Sequence, residues 1–327
     1  VVQGGFGRPC DFGRSGFGVE ETDMATKIFI DGEAGTTGLQ IREKLAGKAG
    51  IELVGLPAAL RKDARAKRDL LAGVDLTILC LPDEAAKEAA GLIDDMGEKG
   101  PRVIDASSAH RVAPGWVYGF PEMIAGQGEL IRSARKVTNP GCHATGAIAI
   151  LRPLTEAGLL PKDFPVSIGS ISGYSGGGKM MIEAYERGDA PAFEHYGLGL
   201  EHKHMPEICE YSGLARRPIF APSVANFRQG MLVSVPLALD ALPSRATGAD
   251  LSAALAAHYG RSDHIRVISG PETGRLEPES LNGTNDLEIH VFVNERRGQA
   301  VLVAKFDNLG KGASGAAVQN LELMLGV

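Results

Sequence analysis

Cys142 stands in the run Asn139-Pro140-Gly141-Cys142-His143-Ala144-Thr145-Gly146, with the strand-like KVT before it and a helical stretch after it. Pro and Gly make an exposed turn there. A thiol that opens a helix has its thiolate stabilised by free N–H groups and the helix dipole, which makes it a nucleophile near neutral pH. Cys80 lies inside the apolar run LTILCLP and Cys209 inside the helical PEICEYSGL, both surroundings of inert buried thiols. Proton-transfer groups come from His202-Lys203-His204-Met205-Pro206-Glu207. Two histidines at i and i+2 in extended backbone point to one side, and Pro206 suits the first turn of a following helix. General acid/base catalysis is the favoured reading, with His204 preferred to His202 and the Glu207 carboxylate fixing the tautomer of one imidazole. A surface or interface pair and a metal site that adds Cys142 or Glu207 are the alternatives, and the lack of two closely spaced ligand pairs counts against the metal.

Two further motifs suit anions. Gly32-Glu33-Ala34-Gly35-Thr36-Thr37-Gly38 separates the strand TKIFID from the helix LQIREKLAG. Glycines there let backbone N–H groups approach a pyrophosphate at the helix N-terminus, although a tight turn without ligand would share the pattern. The acidic residue that reads the ribose of NAD is expected at the end of the second strand. Here IELVGL runs out into Pro57-Ala58-Ala59-Leu60-Arg61-Lys62, and Glu52 begins the strand rather than ending it. NADP is therefore the expected cofactor, its 2′-phosphate accepted by Arg61 or Lys62. In Asp105-Ala106-Ser107-Ser108-Ala109-His110-Arg111, at the carboxyl end of another strand, Arg111 either grips a phosphate or carboxylate or is simply solvated.

These residues must be positioned by a fold large enough for two domains, as the length of 327 residues suggests. From Ala25 strands alternate with helices (IELVGL, DLTILCLP, PRVIDAS and KVTNP, with EAAKEAAGLIDDMGEKG between two of them), which implies a doubly wound, Rossmann-type parallel sheet. After Cys142 come a helix, the stretch FPVSIGSISGYSGGGK and the long strands GMLVSVPLALD, DLEIHVFVNE and QAVLVAKFDN, which read as a second α+β domain with a largely antiparallel sheet. GKGASGAAVQNLELMLGV closes the chain as an amphipathic helix. A net charge of −6, with no basic block longer than RKDARAKR, argues against nucleic-acid or membrane-surface partners. No apolar run nears the roughly 20 residues of a membrane span. Scattered cysteines in a chain of this size imply reduced thiols and a cytoplasmic location. The first 23 residues, Cys10 included, read as a disordered leader or expression tag ahead of Met24.

Taken in order, GEAGTTG, DASSAHR, NPGCHATG, SGYSGGGK, HKHMPEI and DNLGKGASGAAVQN make the chain from Lys27 onward resemble the short form of the N-acetyl-gamma-glutamyl-phosphate reductase family of arginine biosynthesis. The resemblance implies a glyceraldehyde-3-phosphate dehydrogenase-like fold, with 24–141 plus 307–327 as an NADP-binding domain and 142–306 as a catalytic and oligomerisation domain. It implies a homodimer or homotetramer and a small acyl-phosphate substrate. It makes Cys142 the nucleophile and gives acid/base and substrate contacts to the His202/His204 region with Glu207. Arg111, Ser107 and Asn139 become candidate substrate contacts. The candidate cofactor contacts are Gly32, Gly35, Thr36, Thr37, Gly38, Arg61, Leu81, Pro82, Ser107, Ser172, Gly173, Ser175, Gly176 and Asn308, and the final helix brings Gly310, Gly312 and Gly315 near the nicotinamide. No metal is implied. Cys142 would attack the acyl carbonyl, phosphate would leave, NADPH would supply hydride and a histidine would move protons. The cousin aspartate-semialdehyde dehydrogenases carry Gln a few residues after the nucleophile, where Thr145-Gly146-Ala147 stand here. Reduction of aspartyl phosphate or a carrier-bound aminoadipyl phosphate, and a non-catalytic NADP-binding redox sensor, remain as alternatives.

Overall fold

The computed structural model describes residues 25–61, 63–269 and 274–327, so the 23 residues expected to be a leader, with Met24 and Lys62, lie outside the described residues. Its first half contains β1 (Thr26–Asp31), α1 (Thr36–Leu45), β2 (Ile51–Val54), α2 (Ala64–Leu71), β3 (Leu76–Leu79), α3 (Asp83–Asp95), β4 (Arg102–Asp105), β5 (Val117–Tyr118), α4 (Gln127–Ser133) and β6 (Lys136–Thr138). The strands pair in the order β2-β1-β3-β4-β6-β5, every pair parallel. A parallel sheet is covered on both faces, and β3 (LTIL) is accordingly buried at all its positions. Ile28, Ile30, Ile78 and Ile104 pack with α1, and Phe29, Leu79 and Val103 pack on the other face with Leu71 of α2 and Ala89, Ala90 and Ile93 of α3.

The second half runs α5 (Cys142–Glu156), β7 (Ser167–Gly173), α6 (Gly178–Glu186), β8 (Phe193–His195), α7 (Met205–Tyr211), β9 (Ile219–Ala225), β10 (Met231–Ala238), α8 (Gly248–Tyr259), β11 (Ile265–Ser269), β12 (Leu287–Asn294), β13 (Gln299–Phe306) and α9 (Gly315–Leu325). Its seven strands are ordered β11-β12-β13-β10-β7-β9-β8. The pairings β11·β12 and β7·β9 are parallel and the others antiparallel, so the sheet is mixed and largely antiparallel. α5 is apolar on nearly all sides and sits in the main core among α7, α8, β10 and β13.

The final helix departs from its expectation, and one helix is not foreseen in the sequence. The final helix opens with a π-helical turn over Gly310–Ser314, and only then does α9 return to sheet one, where Ala317, Leu321 and Met324 join the cluster of Ile28 and Ile78. The basic run RKDARAKR holds α2: the Asp63 side chain accepts the Ala66 N–H at 2.8 Å as its N-cap, and Lys67 pairs with Asp31 at 2.7 Å.

Candidate active site

Cys142 is the first residue of α5, entered from β6 through Asn139-Pro140-Gly141. A Cβ on Gly141 would collide with Arg111 Nη1 and fall 2.5 Å from both Glu207 Oε1 and His204 Nε2, so only glycine allows these groups to close around the turn. The packing is held by Glu207, which is 1% exposed. Its Oε1 accepts Arg111 Nη1 at 2.6 Å, and its Oε2 accepts the Tyr118 hydroxyl at 2.6 Å and the Gly141 N–H at 3.0 Å. Tyr211 stacks on Tyr118 at 3.9 Å between centroids, and its hydroxyl donates to the Arg111 carbonyl. The buried carboxylate therefore has three donors, as a buried charge requires.

This arrangement corrects the role expected for Glu207. It orients the guanidinium and the turn that leads into Cys142 and, among the described residues, accepts no hydrogen bond from an imidazole. Arg111 consequently reaches the site already neutralised by a carboxylate. The histidine pair is corrected as well. The residues around Lys203 are not extended: Lys203 and His204 form a turn, with His204 in helical backbone (φ −88, ψ −5) as the N-cap of α7.

The His204 N–H donates to His202 Nδ1 at 3.1 Å, which makes that nitrogen an acceptor and leaves the His202 proton on Nε2. The two rings meet edge to face at 4.7 Å. His143 lies 5.4 Å from His202 and 5.5 Å from His204, with its Nδ1 2.7 Å from Ser170 Oγ and its Nε2 2.7 Å from the Tyr196 hydroxyl. Burial pulls His143 down to about 3, helped by His202 and Lys203, and pulls His202 down to about 4 with Lys203 and Arg111 assisting. His204 falls well below the ordinary imidazole value through burial and then the Arg111 charge. All three rings are neutral at pH 7.

Burial also raises the Cys142 thiol above its ordinary value, against the Arg111 charge and the His143 backbone N–H, which lower it. A low thiol pKa from the helix N-terminus alone is thus not what the fold provides, and Cys142 would need a neighbouring proton acceptor to form a thiolate near neutral pH. Cys80 is pushed up to about 12 by burial and then Asp105 and Asp31, in keeping with an inert thiol.

The imidazole cluster has a consequence for acid stability. An unfolded histidine binds a proton near 6.5 whereas folded His143 does so only at about 3. Its contribution is complete above pH 6.5 and is lost as pH falls toward 3, at about 1.4 kcal/mol per pH unit. Urea midpoints should therefore drop between pH 7.5 and 5.5, and the pH slope should be shallower in His143→Gln whatever that variant's absolute stability; equal slopes would contradict the burial argument.

One cavity of about 300 Å³ gathers Cys142, Arg111, Asn139, His202, Lys203 and His204 with Thr36, Thr37, Ser172, Gly173, Ser175, Gly176, Asn308 and Gly312. Two of these side chains are fixed by their own bonds. Asn139 donates to the Ala313 carbonyl at 2.9 Å and accepts from Asn320, while Asn308 donates to Ser175 Oγ at 3.0 Å and accepts the Gly230 N–H. Gly310 and Gly315 are buried and off the lining. Ser107, Leu81 and Pro82 are also off it, the Ser107 hydroxyl being bound to Asp105 Oδ2 at 2.8 Å. Sequence reasoning missed Lys203, which is exposed on the cavity wall and makes no ion pair with a described residue, and the His143–Tyr196 pair. Lys203 stands between two chosen histidines; Tyr196 has no local signal.

The glycine turn fits a dinucleotide. Gly32 has φ +92, and a Cβ there would overlap the Cys80 carbonyl. Gly35 caps α1 without a side chain, which leaves the first-turn N–H groups open to a pyrophosphate. Arg61 lies away from the main cavity, at the carboxyl end of the parallel sheet, paired with Glu33 at 2.6 Å.

A cysteine opens a helix between a parallel sheet with an open glycine turn and a mixed sheet, and two family matches put this arrangement in the semialdehyde dehydrogenase class of oxidoreductases. Residues 42–130 match the family described as semialdehyde dehydrogenase, NAD binding domain, and residues 142–308 match semialdehyde dehydrogenase, dimerisation domain. The chain belongs to the N-acetyl-gamma-glutamyl-phosphate reductase family: it is 54% identical over 306 residues to the reductase of Burkholderia cenocepacia, covering 91% of this chain and 97% of that one. It is 53% identical over 309 residues to the reductase of a Chelativorans species, covering 92% and 99%. Among solved structures, aspartate semialdehyde dehydrogenase II of Vibrio cholerae superposes with a TM-score of 0.68 at 17% identity, covering 92% of this chain and 98% of that one. The Francisella tularensis aspartate semialdehyde dehydrogenase gives 0.70 at 13% identity, covering 92% and 100%. These two establish a shared fold.

Proposed function

We propose that this chain is an NADPH-dependent reductase that converts N-acetyl-gamma-glutamyl phosphate to N-acetylglutamate semialdehyde and phosphate, a step of arginine biosynthesis. The observation that carries the reading is the convergence of Cys142, Arg111, His202 and His204 on one cavity that also touches the dinucleotide turn at Thr36 and Thr37. The family relationship supplies the acyl group.

Neutral His204 accepts the Cys142 proton as the thiolate forms, and Arg111 and the His143 backbone N–H stabilise the resulting charge. The sulfur bonds to the acyl carbon, the N–H groups at the start of α5 hold the oxyanion, and the carbon–oxygen bond to phosphate breaks to leave a thioacyl-enzyme. Lys203, on the wall, meets the departing phosphate or the substrate carboxylate. A dinucleotide bound here would be held by the Gly32–Gly38 turn, which includes Thr36 and Thr37, and by Ser172, Gly173, Ser175, Gly176 and Asn308, and it would supply hydride to the thioacyl carbon. His204 then returns its proton to the sulfur as the aldehyde leaves, which restores the resting pair, and the departed phosphate takes a proton from water, so that each turnover consumes one proton with the hydride.

NADPH is the cofactor we infer, because Arg61 and Arg42 bring two guanidinium groups to the carboxyl end of β2. Division into a nucleotide domain (24–141 plus 307–327) and a catalytic domain (142–306), joined as a dimer or tetramer, goes with the dimerisation-domain match and with Ile219 and Val301, 59% and 39% exposed on the mixed sheet's outer face. A cytoplasmic location goes with Cys80, Cys142 and Cys209 as free thiols. None of the described helices is long and apolar enough to cross a membrane.

The purified protein should oxidise NADPH when given N-acetyl-gamma-glutamyl phosphate, and should reduce NADP when given the aldehyde and phosphate. Arg61→Ala should raise the KM for NADPH about tenfold and leave that for NADH nearly unchanged, as expected for loss of a charge-assisted bond to phosphate. Turnover of aspartyl phosphate in preference, or no turnover of any acyl phosphate, would replace the reading with another reductase or with a redox sensor.

A further inference from the structure

In a dinucleotide fold of this kind the adenosine ribose is read at the carboxyl end of the second strand, by a carboxylate that accepts the 2′-hydroxyl or by an arginine that takes the 2′-phosphate. This chain has no acidic residue on that strand end, yet the fold puts a carboxylate there. It comes from Glu33, the second residue of the glycine turn. Together with Arg42, Leu53, Val54, Gly55, Leu56 and Pro57 it lines a hollow of about 280 Å³. The Glu33 side chain is only 19% exposed, and both its oxygens are taken: Oε2 by Arg42 Nη1, and Oε1 by Arg61 Nη2 at 2.6 Å. Glu52, the acidic residue with the expected sequence spacing, is exposed at the opposite end of β2.

We propose that Glu33 is the residue that sets discrimination at the cofactor's 2′-position, as an internal anion held where the 2′-phosphate would bind. The proposal rests on the reading of Arg61 as a 2′-phosphate contact. A phosphate dianion arriving beside Arg61 meets the Glu33 carboxylate already paired there through Arg61 Nη2, so the two anions compete for one guanidinium and repel each other. A cofactor with a free 2′-hydroxyl meets the reverse situation: it donates a hydrogen bond to the Glu33 carboxylate and leaves the arginine pairs in place. Glu33 therefore holds back the advantage that Arg42 and Arg61 give to NADPH and keeps the site open to NADH.

The test is Glu33→Gln, read as the ratio of kcat/KM for NADPH to that for NADH. Exposed and half-exposed ion pairs are individually weak, so removing the competing charge should raise the ratio by about three- to tenfold. KM for NADPH should fall and KM for NADH should rise. A ratio that is unchanged or lower overturns the proposal, and so does an equal rise of KM for both cofactors, which is what loss of a merely structural brace for the glycine turn would give. Glu52→Gln, as the control, should leave the ratio at the wild-type value. Arg61→Ala separates the two readings. If it leaves the NADPH KM unmoved, the 2′-phosphate reading itself fails; if it raises that KM while Glu33→Gln leaves the ratio alone, only the role of Glu33 fails.

Discussion

Replacing Cys142 by serine should lower kcat by roughly a thousandfold or more, the scale on which loss of a covalent nucleophile registers. A hydroxyl is a far weaker acid than a thiol, and the acceptors beside it are imidazoles that burial has made poor bases. Serine would keep the shape of the site and lose its chemistry. Two further measurements separate the covalent mechanism from general damage. Acyl phosphate added without reduced cofactor should leave an acyl group on the peptide carrying Cys142 in the wild type and none in the variant, as read by peptide mass analysis. Iodoacetamide should inactivate through Cys142 ahead of Cys80 and Cys209, and its rate in the ligand-free protein should keep rising above the ordinary thiol range, because burial has moved the thiol upward. Near-normal turnover by Cys142→Ser would remove the thioacyl step from the mechanism.

The parts that local sequence can supply are those whose cause is local. β1, the glycine turn and α1 are legible because the turn needs Gly32 at φ +92 and the strand is an apolar run. β3 is legible because both its faces are buried. α2 is hidden because only Leu71 is buried along it, so charge masks its period. β5 has two residues and β9 pairs in parallel with β7 across a long crossover, which no short-range pattern announces.

The site divides along the same line. Cys142 at a helix start follows from Pro-Gly and what comes after, whereas the partners of Glu207 do not. They lie 96 and 89 residues away at Arg111 and Tyr118, and the spacing along its own helix points instead to the nearby histidines. Extended backbone across His202–His204 is the natural inference from residue types, and it fails because the His204 N–H finds an acceptor in His202 Nδ1 and turns the chain into α7. Glu33 escapes notice for the converse reason. A ribose reader is expected along β2, and the carboxylate arrives from the turn after β1.

His204→Asn should lower kcat by roughly 10²–10⁴-fold with cofactor binding largely intact, the range expected when a general acid/base is removed. His204 is 4% exposed, its Nε2 faces the Gly141 turn that delivers Cys142, and its Nδ1 has no hydrogen-bond partner among the described residues. His202 is more open and its Nδ1 already accepts the His204 N–H, so His202→Asn should cost less; the reverse ranking would move the proton-transfer role to His202. The sign of the pH effect follows from the lowered value of His204. A base held below the usual imidazole range stays neutral as pH falls through 6.5, so kcat should hold there and decline only at lower pH. A zinc ion bound by the histidines makes opposite predictions: a chelator would abolish activity, and metal analysis would find a stoichiometric ion. The hydrogen bonds argue against such an ion, since both nitrogens of His143 engage hydroxyls and His202 Nδ1 is occupied. Activity should survive EDTA, and stoichiometric zinc or full turnover in both His→Asn variants would end the case for a histidine that moves the proton by itself.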